Sequence, residues 1–174
     1  EMLVKAITEG AELPPRPVLI TLDDGNLDNY TNAFPIMQKY GFTGVLYLVY
    51  NFVGTEKYMN REQALEMASA GWEVGSHSLN HFDLKEIPPA QQRNEIVESR
   101  ELLEKLLGIP VQTFAYPFGS KTDVAFDYVH GARYIAAMGA DGFTADQGRG
   151  NLFSLQRSEI KGTEDAKSFI RFLP

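Results

Sequence analysis

The stretch Pro17-Val18-Leu19-Ile20-Thr21-Leu22-Asp23-Asp24-Gly25 is the strongest structural signal in this chain. It is a short apolar, β-branched run that ends at two adjacent carboxylates and a glycine. A run of this length between turn signals predicts a strand covered on both faces, as in a parallel sheet or barrel. Neighbouring like charges are costly unless a cation or a shared proton relieves them. We therefore expect Asp23 and Asp24 to form part of a site, with a simple turn and helix cap as the alternative.

Length and composition favour one globular domain. The chain has 174 residues and is 44% hydrophobic, which predicts a single domain over residues 1–174. The net charge of −7 is spread along the chain, and this argues against nucleic acid as a partner. The chain contains no cysteine, so any metal must be held by histidine and carboxylate side chains.

Neither a membrane span nor a signal peptide is predicted. The longest apolar stretch, 42–53, is interrupted by polar residues and is too short to cross a bilayer. The first seven residues lack a basic region followed by an apolar core. They are typical of the last turns of a helix, and we expect a segment upstream of residue 1.

Predicted strands and helices alternate along the chain. After the first strand, strands are expected at 42–49, 72–76, 111–115, 134–138, 142–145 and 152–157. Helices are expected at 29–40, 61–70 (capped by Asn60), 89–107 (with a solvated polar face), 123–130 and 166–173. This alternation implies right-handed crossovers and a parallel sheet, either closed as a barrel or doubly wound.

Three predicted strand ends carry reactive or unusual residues, and in such folds the chemistry gathers where strands end. The first end carries Asp23 and Asp24, the third carries His77 and His81, and the fourth runs into residues 116–119. Two histidines four positions apart can hold one cation. With one Asp they make a two-His, one-carboxylate set that leaves positions open, while the other Asp can accept a proton from water that the metal has acidified.

The sequence Tyr116-Pro117-Phe118-Gly119 favours a second role at the same edge. Pro117 fixes the backbone next to Phe118, whose amide can then donate to a developing oxyanion. The alternative is an aromatic turn that packs on the core.

Together these motifs resemble those of a known family. The segments 21–25 (TLDDG), 77–81 (HSLNH) and 114–119 (FAYPFG), in this order and at these separations, are similar to the first three motifs of the polysaccharide deacetylases, the NodB-homology or carbohydrate esterase family 4 enzymes. The resemblance is clear over 17–119 and looser beyond. It implies an α/β fold, a distorted, incomplete (β/α) TIM-like barrel.

The resemblance also implies a site and a reaction. A divalent metal, with zinc expected and cobalt, nickel, manganese or iron as alternatives, would be bound by Asp24, His77 and His81. Asp23 would be the general base, and the Phe118 amide would contribute to the oxyanion hole. The reaction would remove acetyl groups from N-acetylglucosamine residues of a polysaccharide.

The Ala-Tyr-Pro-Phe-Gly form of the third motif is similar to that of the poly-β-1,6-N-acetyl-D-glucosamine deacetylases of biofilm matrix. Peptidoglycan or chitin oligomers are the alternative substrates, and a carbohydrate-binding module of low activity is the alternative function. Sugar rings stack on aromatic side chains, and five are expected to be available: Tyr47, Tyr50, Phe82, Tyr116 and Phe118. Of these, Tyr50 and Tyr116, together with Pro117, are our predicted substrate-binding residues. A polymer substrate implies an extracellular or cell-surface location, which is compatible with association with a membrane surface or cell wall.

The sequence departs from the family pattern in two places. The further Asp-rich, Trp-containing motif is not recognisable, since Trp72 is the only tryptophan and precedes the His pair. The late histidine that serves as general acid is also missing, because His130 is expected only at a helix end. The acid would come from an upstream segment or from another group. Arg157 is expected either to steady Asp23 or to lie on a surface strand.

Overall fold

The structure, a computed structural model, describes residues 1–140 and 147–173. Its strands are β1 (Thr21–Leu22), β2 (Val45–Leu48), β3 (Glu73–Ser76), β4 (Thr113–Ala115) and β5 (Ala136–Met138). Its α-helices are α1 (Met2–Glu9), α2 (Phe34–Lys39), α3 (Arg61–Ser69), α4 (Pro89–Arg93), α5 (Ser99–Leu107), α6 (Asp123–Gly131) and α7 (Ala166–Phe169). π-helical turns occupy Asn29–Ala33 and Asn94–Glu98, and 3-10 turns occupy Tyr50–Phe52, Pro117–Gly119, Arg149–Asn151 and Ile170–Phe172.

The five strands form one parallel sheet in the order β1-β2-β3-β4-β5. Each strand pairs with the next one in the chain, so every crossover is of the same simple type and the carboxyl ends meet at one edge. The sheet curls into a half-barrel with helices around it, and the predicted incomplete (β/α) barrel is confirmed. That shared edge is where the predicted site residues are delivered.

Side chains alternate between the two faces of the sheet and form two cores. In β2, Leu46 and Leu48 face a large core that the crossover helices complete, whereas Val45 and Tyr47 face a smaller core. Helix α1 packs Leu3, Val4 and Ile7 against the smaller core, as expected for an amphipathic terminal helix.

The first predicted strand is shorter and more exposed than the sequence suggests. Only Thr21 and Leu22 form β1, and Val18 and Leu19 are 53% and 47% exposed. The prediction of a strand buried on both faces is wrong, because Val18 and Leu19 precede β1 and are exposed, and among the described residues β1 pairs with β2 alone. An apolar run does not by itself distinguish an edge strand from a central one.

The predicted helices are present with altered ends. The helix predicted over 29–40 begins as a π-helical turn, in which the Phe34 amide donates to the Asn29 carbonyl, and Pro35 lies in the first turn of α2, where its missing N–H costs little. The Asn60 cap is confirmed, with a reciprocal bond to Gln63. Helix 89–107 is one run with a π-helical turn in its middle, and the last helix is a short α-helix followed by a 3-10 turn.

The C-terminal strands are largely absent from the described residues. The stretch 152–157 makes one parallel bridge, between Leu155 and Met138, and is otherwise irregular. The strand predicted over 142–145 lies outside the residues described. Within the described residues no helix is long and apolar enough to cross a membrane.

Candidate active site

Two strand ends bring four polar side chains together at the carboxyl edge of the sheet. Asp23 and Asp24 follow β1, and His77 and His81 lie on the loop that follows β3. One ligand atom from each of Asp24, His77 and His81 lies within 4.8 Å of the others. The Nε2 atoms of His77 and His81 are 3.4 and 3.3 Å from Asp24 Oδ1. The three residues predicted as metal ligands are therefore adjacent in space.

The hydrogen bonds of His77 determine which of its ring nitrogens faces Asp24. Nδ1 lies 2.8 Å from the Ala115 carbonyl oxygen, which can only accept, so Nδ1 carries the proton. The side chain is 3% exposed, and its burial, which outweighs the attraction of Asp23, lowers the pKa of the imidazole. His77 is therefore neutral at pH 7, and its Nε2 presents a lone pair to the carboxylates.

This arrangement leaves Asp24 Oδ1 without a partner. The atom is buried, and no described residue donates a hydrogen bond to it. A lone pair of His77 Nε2 facing a carboxylate oxygen at 3.4 Å is unfavourable without something positive between the atoms. Histidine nitrogen and carboxylate oxygen are both ligands of zinc and related divalent ions. The residues present thus fit a divalent cation.

Arg157 binds Asp23, which is the first of the two roles that we expected for it. Its Nη1 and Nη2 donate to the two oxygens of Asp23 at 2.7 and 2.8 Å, its Nη1 also donates to Thr21 Oγ1, and its Nε donates to the Gly139 carbonyl. Burial of Asp23 opposes ionisation, but the bonds from Arg157 and the nearby charges outweigh it and hold the pKa of Asp23 below its usual range. Asp23 is therefore ionised at neutral pH.

The backbone around the site is unusual for non-glycine residues. Of the six non-glycine residues with positive φ among those described, four lie here: Asp24 (69°), Ser78 (74°), His81 (62°) and Phe118 (57°). Such conformations cost about 1 kcal/mol or more each and persist where surrounding contacts enforce them. They cluster at functional sites, in agreement with a site at this edge.

The residues predicted to contact substrate are only partly at the surface. The ring of Phe118 is 66% exposed and lies 4.7 Å from the His81 ring, centroid to centroid. Tyr116 is fully buried: its hydroxyl donates to the Phe153 carbonyl and its ring packs on Phe114. The expectation that the Tyr116 ring is available for stacking on sugar is therefore wrong, because this residue directly follows β4 and its side chain is part of the large core.

Three other expected contact residues are also less accessible than their sequence suggests. Tyr47 is fully buried, so its ring cannot stack on a sugar either. Pro117 is buried and supports the turn beneath Phe118, and Tyr50 is half-buried against the large core. Phe82 is 42% exposed and remains available.

Sequence reasoning missed Glu95. Its charge favoured a solvated side chain, yet it is 1% exposed and accepts hydrogen bonds from the loop between His77 and His81. The helical periodicity does place Glu95 on the buried face, four residues before Ser99 and eight before Leu103, but a glutamate is rarely buried without a partner, and the partner lies in another segment.

Other sequence features lie away from the site. Trp72 is buried at the start of β3, next to Phe34, and His130 packs on Phe153 at the end of α6. A cavity of about 230 Å³ lies at the amino ends of the strands, where it is lined by Trp72 and Thr113 among others. The candidate site is on the opposite edge of the sheet.

Comparison with known proteins gives a consistent result. Residues 10–136 match the family described as polysaccharide deacetylase. The Bacillus subtilis protein YxkH, whose assignment as a polysaccharide deacetylase is provisional, is 26% identical over 163 residues, which are 94% of this chain and 58% of that relative. The poly-β-1,6-N-acetyl-D-glucosamine N-deacetylase of Staphylococcus epidermidis is 29% identical over 129 residues, 66% of this chain and 45% of the enzyme. The chain thus spans about half the length of these two relatives.

A solved structure supports the same fold. The deacetylase PplD of Streptococcus pyogenes, solved in complex with acetate, superposes with a TM-score of 0.90 at 23% identity, covering 99% of this chain and 77% of that one. At this identity the likeness concerns the fold. Together with the family match over residues 10–136, it shows that the chain belongs to the polysaccharide deacetylase family.

Proposed function

We propose that this chain is a metal-dependent N-deacetylase of an N-acetylglucosamine polymer. The observation that carries the proposal is Asp24 Oδ1, buried and without a hydrogen-bond donor among the described residues, facing Nε2 of His77 and of His81 at 3.4 and 3.3 Å. Beside it stands a second carboxylate, Asp23, held ionised by Arg157. One carboxylate for the cation and one to accept a proton from water are two of the roles that amide hydrolysis requires, and the proton for the leaving amine would come from an upstream segment or from another group.

Asp24, His77 and His81 would hold the cation. Zinc fits this donor set, and cobalt, nickel, manganese and iron accept the same ligands. When bound, such an ion supplies Lewis acidity, which polarises an acetyl carbonyl and makes water easier to deprotonate. The Nδ1 hydrogen bond of His77 to Ala115 fixes the tautomer that leaves Nε2 available for this role.

Asp23 would serve as the general base. Its carboxylate is ionised at neutral pH and lies at the open edge, with its side chain 32% exposed. It can therefore accept a proton from the attacking water. The two bonds from Arg157 fix the plane of the carboxylate and keep it from turning onto His77, whose Nε2 lies 3.7 Å from Asp23 Oδ2.

Phe118 would contribute to the oxyanion hole through its backbone amide. Phe118 lies in a 3-10 turn between the buried residues Pro117 and Gly119 and has a positive φ, so the turn holds its backbone amide while its ring lies outside the core. The ring stands at the surface beside His81 and is available to a sugar. Pro117 thus acts by supporting Phe118, and Tyr116 by anchoring the turn to the core.

For the substrate we propose poly-β-1,6-N-acetyl-D-glucosamine, with peptidoglycan and chitin oligomers as the alternatives. The similarity to the staphylococcal enzyme and the Ala-Tyr-Pro-Phe-Gly form of the third motif support this choice. Phe118 and Phe82 are exposed, and Tyr50 lies on the neighbouring loop, so aromatic rings are available at this edge for stacking on the sugars of a polymer. A polymer of this kind places the enzyme outside the cell or at its surface.

The test is acetate release from poly-β-1,6-N-acetyl-D-glucosamine and from chitin oligomers. Metal-stripped protein, protein reloaded with zinc or cobalt, and the Asp23→Asn variant are compared. Release that requires the metal and is lost in Asp23→Asn supports the proposal, and the preferred polymer identifies the substrate. Binding of zinc at His77 and His81 without any release would instead indicate a binding module or a site whose general acid lies upstream, and repeating the assay with residues added upstream distinguishes the two.

A further inference from the structure

The long helical run between β3 and β4 contains one π-helical turn, Asn94–Glu98, between α4 and α5. Such a turn accommodates one extra residue and rotates the side chains that follow, and it is often found at functional sites. Here it carries Glu95, which is 1% exposed. A buried carboxylate needs strong hydrogen-bond donors.

The donors all come from one loop. Glu95 Oε2 accepts from the backbone amides of Leu79 and Asn80 at 3.1 and 2.8 Å, and Oε1 accepts from Asn80 Nδ2 at 2.7 Å. These two residues are the middle of the loop that separates His77 from His81. Glu95 therefore binds the segment that sets the distance between the two histidines.

The loop relies on side chains for its backbone hydrogen bonds. Four consecutive amides donate to side-chain oxygens: Ser78 to Ser76, Leu79 and Asn80 to Glu95, and His81 to Ser78. Both Ser78 and His81 are in the left-handed region. Because the loop has little regular structure of its own, its conformation depends on these acceptors.

Asn80 extends the contact to a second loop. Its Oδ1 accepts from Asn51 Nδ2 at 2.6 Å, and the backbone amides of Tyr50 and Asn51 donate to the carbonyls of Ser78 and Leu79. Asn51 is on the loop after β2, one of the loops that border the open edge. Glu95 thus holds the histidine loop directly and the neighbouring loop through Asn80.

We infer that Glu95 is a positioning residue, which holds the loop 78–81 so that His81 faces His77 and Asp24. The inference rests on the proposed function, because it concerns the affinity of the proposed metal centre. Glutamine at position 95 keeps one oxygen for the two backbone amides, but its amide group would face the Nδ2 donor of Asn80 unless the side-chain amides of Asn80 and Asn51 both turn over. Exchanging donor and acceptor across the pair, with Gln at 95 and Asp at 80, restores every bond.

The experiment measures zinc affinity by chelator competition in wild type, Glu95→Gln, Asn80→Asp and the double variant. We expect each single variant to bind zinc about 10- to 100-fold more weakly. The double variant should recover most of the loss, which a merely destabilising change at position 95 would not permit. Glu101→Gln, on the exposed side of α5, is the matched control and should bind as wild type does.

Asp24→Asn is measured in parallel to separate the two proposals. If wild type does not bind zinc, or if Asp24→Asn binds it equally well, the proposed metal centre is wrong. If Asp24→Asn loses zinc while Glu95→Gln keeps the wild-type affinity, the role of Glu95 is wrong and the proposed function stands. Should Glu95→Gln fail to fold, Asn80→Ala removes only the half-exposed side chain. It should weaken zinc binding several-fold, and an unchanged affinity overturns the inference.

Discussion

The loops after β1 and β3 hold their functional groups in opposite ways. The loop after β1 carries two carboxylates that are about one third exposed, and a cation from 134 residues further along the chain, Arg157, fixes one of them. The loop after β3 carries the buried His77, and an anion from 15 or 16 residues away, Glu95, fixes its backbone. A positively charged side chain thus holds a carboxylate of the first loop, and a negatively charged side chain holds the backbone amides of the second.

Losing the partner residue should have a different effect in each loop. On the β1 side the partner binds a side chain, so losing it changes the charge and pKa of that side chain. On the β3 side the partner binds backbone amides, so losing it changes where His81 lies. Variants of the two loops should therefore fail in different ways, in proton transfer on one side and in metal affinity on the other.

The largest effect is expected for Asp23→Asn. Removing a general base lowers kcat by about 10²- to 10⁴-fold. Zinc affinity should change far less than in Asp24→Asn, because Asp23 is not among the three clustered ligand residues. Acetate release and chelator competition on the same samples measure both quantities.

Asp28→Asn is the control for this prediction. Asp28 is exposed on the same loop, and its substitution removes the same charge. It should retain wild-type kcat. Equal losses in the two variants would mean that net charge at the edge, and not proton transfer by Asp23, controls the rate.

The next effect is expected for Arg157→Gln. Burial, the largest influence on Asp23, raises its pKa, and in the wild type the bonds from Arg157 and the surrounding charges reverse this. Without the guanidinium the pKa of Asp23 rises, so the acid limb of the kcat/KM profile should move to higher pH. Loss of this supporting contact should lower kcat/KM at neutral pH by about 10- to 100-fold.

The same change affects stability with pH. A carboxyl group with a lowered pKa in the folded state stabilises the protein above its unfolded pKa near 4, and this contribution is lost as the pH falls through the folded value. Arg157→Gln should remove it, and acid unfolding should begin at higher pH. Arg149→Gln, which removes an exposed arginine bonded to the α1 carbonyls of Ile7 and Thr8, should leave the acid limb in place.

In both loops the sequence predicts the functional residues better than the residues that hold them in place. The functional residues themselves are adjacent to strand ends and lie within short motifs, so Asp23, Asp24, His77 and His81 could be found from local patterns. Their partners were harder to find. The role of Arg157 was one of two alternatives, because its segment makes a single strand bridge and local patterns do not say what it contacts. Glu95 was missed, because its charge favours solvent and its hydrogen-bond partners lie in a loop 15 residues away.

The fold follows a similar rule. The alternation of strands and helices predicts the parallel sheet, because each unit is short and local. The exposure of Val18 and Leu19 is not predictable from their own hydrophobicity, since it depends on which other segments pack against the start of β1. Tyr116 was misplaced for the same reason: how far the core extends depends on Phe114 and Phe153.

A smaller effect is expected for Gly75→Ala in β3. A Cβ at this position would lie 2.4 Å from Tyr47 Cε1 and 2.8 Å from Thr113 Oγ1, and Tyr47 is fully buried. The strand that leads to His77 would have to shift, at a cost of about 1–3 kcal/mol in the free energy of unfolding. Urea unfolding measures this loss, and zinc affinity should fall with it.

Gly131→Ala is the matched control for this substitution. No described atom lies within 4 Å of a Cβ at that position, at the end of α6. Stability should be unchanged or higher, by up to about 1 kcal/mol. If Gly75→Ala is as stable as wild type, Tyr47 can move to make room for the added methyl group, and the end of β3 is less rigid than expected.

The smallest effect is expected for Asn60→Ala, which tests whether the β3 loop depends on the helix that precedes its strand. Asn60 Oδ1 accepts from the Gln63 backbone amide at 2.9 Å, and the Asn60 backbone amide donates to Gln63 Oε1 at 2.8 Å, so loss of the Asn60 side chain should cost about 1 kcal/mol of unfolding free energy. Helix α3 precedes β3, but the loop amides are bonded to Ser76, Ser78 and Glu95, none of which lies on α3. Zinc affinity and kcat should therefore remain at wild-type values. A fall in zinc affinity would mean that helix α3 also helps to hold the loop, in addition to Glu95 and the two serines.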